Sequence, residues 1–135
     1  MGTDIALIDK RRDGNDDRAI AGHIIGDVEG KICIIFDDEI DTGGSMIEAI
    51  RTLKENEAGD VYAACTHGVL SGDAIERLKE APLRELVITN TIPLPPEKQI
   101  DKIKVLDIAP LFGKAIARIH TGEAVGELFE DHKME

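Results

Sequence analysis

Apolar and polar positions alternate along the chain in two different periods. Short apolar runs with strand character stand at Ile5–Ile8, Ile32–Phe36, Val61–Cys65, Glu85–Thr89 and Lys104–Asp107. Between them lie stretches with helical spacing at Ser45–Glu55, Gly72–Lys79 and Ala109–Thr121. Ile47, Ile50 and Leu53, and later Ile116 and Ile119, recur at intervals that place them on one helical face. The first helix is expected to end at Asn56–Gly59, where Asn and Gly suit a C-terminal cap. Thr91-Ile92-Pro93-Leu94-Pro95-Pro96 cannot be helical and reads as a rigid loop leaving a strand. Strand and helix in alternation predict an α/β fold, three layers in α/β/α order around a mainly parallel sheet. There is no internal repeat and no low-complexity tract.

The chain has 135 residues, within the size of one domain, and is read as a single domain over 1–135. With one Tyr, three Phe and no Trp, its core has to be built from Ile, Leu, Val and Ala. A formal charge of −11 argues against a nucleic-acid partner, which calls for a basic face. Cys33 and Cys65 each sit inside an apolar run and read as reduced core residues of a cytoplasmic protein. No stretch is long and apolar enough to span a membrane, and no secretory signal is present. Met1-Gly2 is discounted as a myristoylation signal because Ala6 stands where Ser or Thr is needed. The first strand follows Met1–Asp4 almost at once, so either it opens a small sheet or an upstream piece is missing.

The chemistry concentrates in Phe36-Asp37-Asp38-Glu39-Ile40-Asp41-Thr42-Gly43-Gly44-Ser45, placed between an apolar run and a helix start. Backbone N–H groups at a helix N-terminus are unpaired, and the helix dipole favours an anion there. Two glycines let the backbone approach that anion, and Thr42 and Ser45 add hydroxyls. The aspartates suit sugar hydroxyls or a hydrated Mg²⁺ rather than phosphate. Phosphate on one side and polyol with metal on the other point to a sugar phosphate. If the strand persists through Asp37 and Asp38 they face opposite ways, so that only one of them touches ligand. Asp41, in the turn itself, is the aspartate the pattern favours.

Lys10-Arg11-Arg12 leaves the first strand and runs into Asp13-Gly14-Asn15-Asp16-Asp17, read as a mobile loop within Lys10–Asp27. Ligands of parallel sheets bind outside the carboxyl ends of the strands, which brings these cations to the edge that carries the acidic segment. They are either a solvated charge run or cations that close over a di- or triphosphate. His67 and Ser71 lie between a strand and a helix start. The plainer readings are a structural histidine and a helix N-cap. His23, His120 and His132 share no metal-like spacing.

Taken together, Ile8-Asp9-Lys10-Arg11-Arg12, the Asp37–Ser45 segment, Cys65-Thr66-His67-Gly68-Val69-Leu70-Ser71-Gly72 and Val87-Ile88-Thr89-Asn90-Thr91-Ile92-Pro93-Leu94-Pro95 resemble the C-terminal half of the ribose-phosphate pyrophosphokinase family. The acidic segment alone is shared with the wider phosphoribosyltransferase group. The resemblance implies a type I phosphoribosyltransferase-like fold and transfer of a diphosphoryl group from MgATP to the 1-hydroxyl of ribose 5-phosphate. It implies that Asp41, Thr42, Gly43, Gly44 and Ser45 hold the 5-phosphate. Asp37 and Asp38 would meet the ribose 2- and 3-hydroxyls directly or through Mg²⁺, and Lys10 and Arg12 would be catalytic cations. It also implies homo-oligomers, and an ATP site mostly in an N-terminal half that this chain lacks, which leaves the chain alone with little or no activity.

The chain departs from the family in two places. Its loop after Arg12 is acidic, and Ala124-Val125-Gly126 stands where many bacterial members place serines of a phosphate/ADP regulatory site. Two other readings compete: a nucleobase phosphoribosyltransferase, which needs a hood segment that is not evident, and a non-catalytic regulatory subunit, against which the intact Lys10, Arg12, Asp37, Asp38 and Asp41 count.

Overall fold

The computed structural model describes residues 3–9 and 23–129. The elements are β1 (Leu7–Asp9), β2 (His23–Ile25), β3 (Cys33–Ile40), α1 (Gly44–Glu55), β4 (Val61–Gly68), α2 (Ala74–Glu80), β5 (Glu85–Thr89), β6 (Ile103–Leu106) and α3 (Ala109–Thr121). Four of the strands form one sheet in the order β3-β4-β5-β6, and β3, β4 and β5 run parallel. This is the α/β class expected, with helices α1 and α2 supplying the crossovers. The chain divides into two compact units, Met1–Val105 and Leu106–Glu135.

In the first unit, alternation decides the core. Val61, Ala63 and Cys65 of β4 and Leu86 and Ile88 of β5 are buried, and they join Met46, Ile50 and Leu53 of α1 and Ile75 and Leu78 of α2 in one cluster. On β3 the intervening residues Ile34 and Phe36 stay exposed. Helix α1 ends as expected: Asn56 caps it, its side-chain amide donating to the Thr52 carbonyl at 2.8 Å, before the chain turns through Glu57. Helix α2 is held at its C-terminal end by Lys102, whose Nζ donates to the carbonyls of Leu78, Lys79 and Ala81 at 3.1, 2.7 and 2.7 Å. A cation there satisfies orphan carbonyls and complements the helix dipole.

Three expectations needed adjusting. Strand β3 runs on to Ile40, so Asp37, Asp38 and Glu39 lie in a strand and not in a turn. Within the Lys10–Asp27 stretch, His23–Ile25 form β2, which pairs antiparallel with β1 in a two-stranded sheet, Ile8 opposite Ile24, while residues 10–22 lie outside the described residues. Helix α2 begins at Ala74 and not at Gly72, with Asp73 in the cap position expected for Ser71.

In the second unit, α3 spans the residues its periodicity marked and ends on Gly122. Arg118 ties it to the segment that follows, donating to the Ala124 carbonyl at 2.7 Å and pairing with Glu127 at 2.6 Å. Its apolar residues Phe112, Ile116 and Ile119 are exposed. Among the described residues no helix is long and apolar enough to cross a membrane.

Gly68 ends β4 against a side chain of β5: a Cβ there would stand 2.9 Å from Cδ1 of Ile88, which is wholly buried. Gly68→Ala is expected to lower stability by about 1–3 kcal/mol through overpacking. Ile88→Val, which removes the clashing methyl, should recover part of that loss in a double-mutant cycle read by urea unfolding.

Candidate functional site

At the carboxyl end of β3 the chain has to turn from strand into α1 within Asp41–Gly43. Gly43 makes this possible with φ 76° and ψ −4°, a left-handed conformation that costs a residue bearing a Cβ about 1 kcal/mol or more. Past Gly43 the helix starts without a side-chain cap. The N–H groups of Thr42, Gly43, Gly44 and Ser45 make no hydrogen bond to the described residues. The first bond of the turn is the one that Ile47 N–H donates to the Gly43 carbonyl at 2.9 Å. Free amides at a helix N-terminus are anion ligands by charge and direction.

These amides line a cavity of about 330 Å³ bounded by Asp37, Glu39, Ile40, Asp41, Thr42, Gly43, Gly44, Ser45 and Met46. Six of the residues singled out in the sequence therefore meet: Asp37, Asp41, Thr42, Gly43, Gly44 and Ser45. Asp38 does not line the cavity. The strand persists through both aspartates, so they project to opposite sides, and the ladder itself skips Asp38 between the pairs Asp37–Cys65 and Glu39–His67. The Asp38 N–H instead donates to the Asp37 carboxylate at 3.0 Å. Glu39, two residues from Asp37 and on its side, joins the lining; period-two reasoning from Asp37 reaches it once β3 is known to be long. Lys10 and Arg12 lie outside the described residues.

The loop that follows β4 braces Asp41. Leu70 N–H donates to the Ile40 carbonyl and Ser71 N–H to the Asp41 carbonyl, both at 3.0 Å. The Ser71 hydroxyl donates to Asp41 Oδ1. Ser71 is thus neither nucleophile nor helix cap; it fixes the carboxylate. The bend that brings it there is strained: Leu70 has φ 52°, and its side chain, wholly buried, anchors the residue in that conformation. His67 takes another partner. Its Nδ1 shares a 2.9 Å hydrogen bond with Thr91 Oγ1, and Thr91 and Thr89 both donate to the Thr66 carbonyl, at 3.0 and 2.7 Å. That network joins β4 to β5 and its residues do not line the cavity.

The cysteines are free thiols. Burial pushes Cys65 up to about 11, and the neighbouring Asp37 charge adds to the effect. Cys33, half-buried, is also raised, chiefly by burial.

The metal expected on Asp37 and Asp38 meets a divided pair of carboxylates. Among the described residues no three His, Cys, Asp or Glu side chains gather as a metal site. Mg²⁺ keeps several waters and takes one or two carboxylates together with substrate oxygens, so a single cavity carboxylate such as Asp37 fits it as one ligand among several.

The fold and the cavity define an α/β domain with an anion-ready β–α junction at the carboxyl edge of a parallel sheet, the place where such sheets bind ligands. Residues 19–130 match the phosphoribosyl synthetase-associated domain. The sequence is 54% identical over 129 residues to the ribose-phosphate pyrophosphokinase of Caldanaerobacter subterraneus subsp. tengcongensis, covering 96% of this chain and 40% of that protein. It is 51% identical over 126 residues to the Listeria ivanovii ribose-phosphate pyrophosphokinase, covering 93% and 39%. The solved structure of phosphoribosylpyrophosphate synthetase from Mycobacterium smegmatis superposes with a TM-score of 0.73 at 44% identity, over 75% of this chain and 34% of that one. The chain belongs to the ribose-phosphate pyrophosphokinase family, as its motifs implied, and spans about 40% of the length of the relatives it matches.

The raised Cys65 thiol gives a pH test. The folded state holds its proton up to about 11 while the unfolded chain releases it near the ordinary 9.0. The unfolded state therefore binds fewer protons in that window, and stability should fall as pH rises from 9 towards 11. Cys65→Ala should flatten this part of the urea-midpoint profile. In the native protein at pH 8, iodoacetamide should leave Cys65 unmodified, and in denaturant it should react.

Proposed function

We propose that this chain supplies the ribose 5-phosphate site of an enzyme that makes phosphoribosyl pyrophosphate and AMP from ribose 5-phosphate and MgATP. The observation that supports it best is the meeting, in one cavity, of the free amides of Thr42–Ser45 with the carboxylates of Asp37 and Asp41. The relatives' names agree with this reading.

In this account the amides of Thr42, Gly43, Gly44 and Ser45 receive the 5-phosphate, with the Thr42 and Ser45 hydroxyls beside them. Asp37, two residues from Glu39 and on the same side of the strand, accepts from ribose hydroxyls, and Asp38 stands outside the contact. Asp41, held by Ser71, orients the bound sugar. The sugar 1-hydroxyl oxygen attacks the β-phosphorus of ATP, the bond to the α-phosphate oxygen breaks, AMP leaves, and the hydroxyl proton passes to base or solvent. Lys10 and Arg12 offset the negative charge that builds on the transferring diphosphoryl group. Mg²⁺, when bound with the nucleotide, neutralises phosphate charge. The nucleotide site is assigned mainly to the part of the family enzyme outside this chain.

Calorimetric titration tests the reading. The chain should bind ribose 5-phosphate, and Asp41→Asn should lose measurable binding. Lys10→Ala should bind within about two-fold of the parent, because its cation acts on charge formed only in the transition state. With the complementary half supplied, that variant should lose AMP release by about a hundred-fold or more. Equal loss of ground-state binding in Lys10→Ala would contradict this division of roles, and absence of sugar-phosphate binding by the parent chain would remove the site assignment.

A further inference from the structure

A second element packs against the turn. Helix α2 packs its first residue, Ala74, 3.7 Å from where a Cβ on Gly43 would stand. One turn further on, Arg77 reaches over the same loop. Its Nη1 donates to the Thr42 carbonyl at 3.1 Å and lies 3.7 Å from the Cβ position of Gly44. The helix that carries it is fixed at its far end by Lys102, and the guanidinium forms no ion pair with a carboxylate among the described residues.

The direction of this bond has a consequence for the amides. Across a trans peptide the C=O and the following N–H point to opposite sides. With the Thr42 carbonyl turned towards Arg77, the N–H of Gly43 is turned away from Arg77. The carbonyl of Asp41 is likewise held, by Ser71 N–H, which turns the N–H of Thr42 away from that loop. The donors of the turn are therefore oriented by bonds made on the outer side of the chain. A left-handed glycine flanked by a second glycine has no side chain of its own to fix that orientation.

We propose that Arg77 is a positioning residue for the phosphate turn: by holding the Thr42 carbonyl it sets the Gly43 amide for a phosphate dianion and places a fixed positive charge behind it. The inference rests on the sugar-phosphate reading of the cavity and names the group that tunes it. Arg77 touches no ligand in this account; it acts through the Thr42–Gly43 peptide. It escapes a reading of the turn's own sequence because it lies 35 residues from Thr42.

The test uses the full chain and two probes. Ribose 5-phosphate is titrated by calorimetry into the parent, Arg77→Ala and Arg77→Lys, and the Gly43 amide is followed by ¹H–¹⁵N correlation spectra of the free proteins. Arg77→Ala should bind about ten-fold more weakly, the scale of one lost charge-assisted hydrogen bond. Arg77→Lys, which keeps a charged donor, should return to within about three-fold of the parent. The Gly43 amide resonance should move in Arg77→Ala while the urea midpoint stays in place, since Arg77 is exposed on a surface turn of α2.

Parent binding with both variants unchanged would overturn the role of Arg77 and leave the site assignment standing. Arg77→Lys as weak as Arg77→Ala would overturn it too. No binding by the parent would sink the site assignment together with this inference. An unmoved Gly43 amide in Arg77→Ala would separately refute the peptide-orienting step.

Discussion

The turn from β3 into α1 is the constraint on which the rest of the site depends. A strand paired along its length with β4 must become a helix within three residues, and the left-handed glycine at position 43 makes that turn. That geometry leaves four amides without partners on the cavity side. An isolated loop with so many free donors would rearrange to satisfy them. Here it does not, because its carbonyls are already engaged on the outer side: Ile40 by Leu70, Asp41 by Ser71, Thr42 by Arg77. The free donors at this junction are therefore held in place by two β–α connections acting together.

The strain in Leu70 fits the same picture. The buried Leu70 side chain supplies the apolar burial that offsets the backbone cost. The core thus contributes to the site through one residue that is part of neither the cavity nor the turn. The acidic side of the cavity depends on the strand in another way. Because β3 continues to Ile40, alternation puts Asp37 and Glu39 on one side of the strand and Asp38 on the other.

Much of this was legible in the sequence. The strand at Glu85–Thr89 and the helix at Ala109–Thr121 fall where periodicity put them, since both are bounded by unambiguous breaks. The glycine turn was legible because Gly-Gly after an apolar run leaves few alternatives. The polar half of β3 was not, since three consecutive acidic residues resemble a loop by composition; only the parallel ladder to β4 carries them as strand. β2 was missed because three residues are too few for a period to show. Ser71 and Arg77 could not be placed against the turn by spacing, since their partners Asp41 and Thr42 are 30 and 35 residues away and meet them through tertiary packing. Lys10 and Arg12 fall outside the described residues, so the catalytic role proposed for them stands on the family resemblance.

The central claim is that the amides of Thr42–Ser45 receive a phosphate. Amide chemical shifts of the ¹⁵N-labelled chain, recorded with ribose 5-phosphate and with ribose as the control, test it most directly. The account predicts downfield amide proton shifts confined to Thr42, Gly43, Gly44 and Ser45, with ribose 5-phosphate and not with ribose. Shifts centred instead on the separate cavity beside Lys79 and Lys102, or no difference between the two sugars, would contradict it.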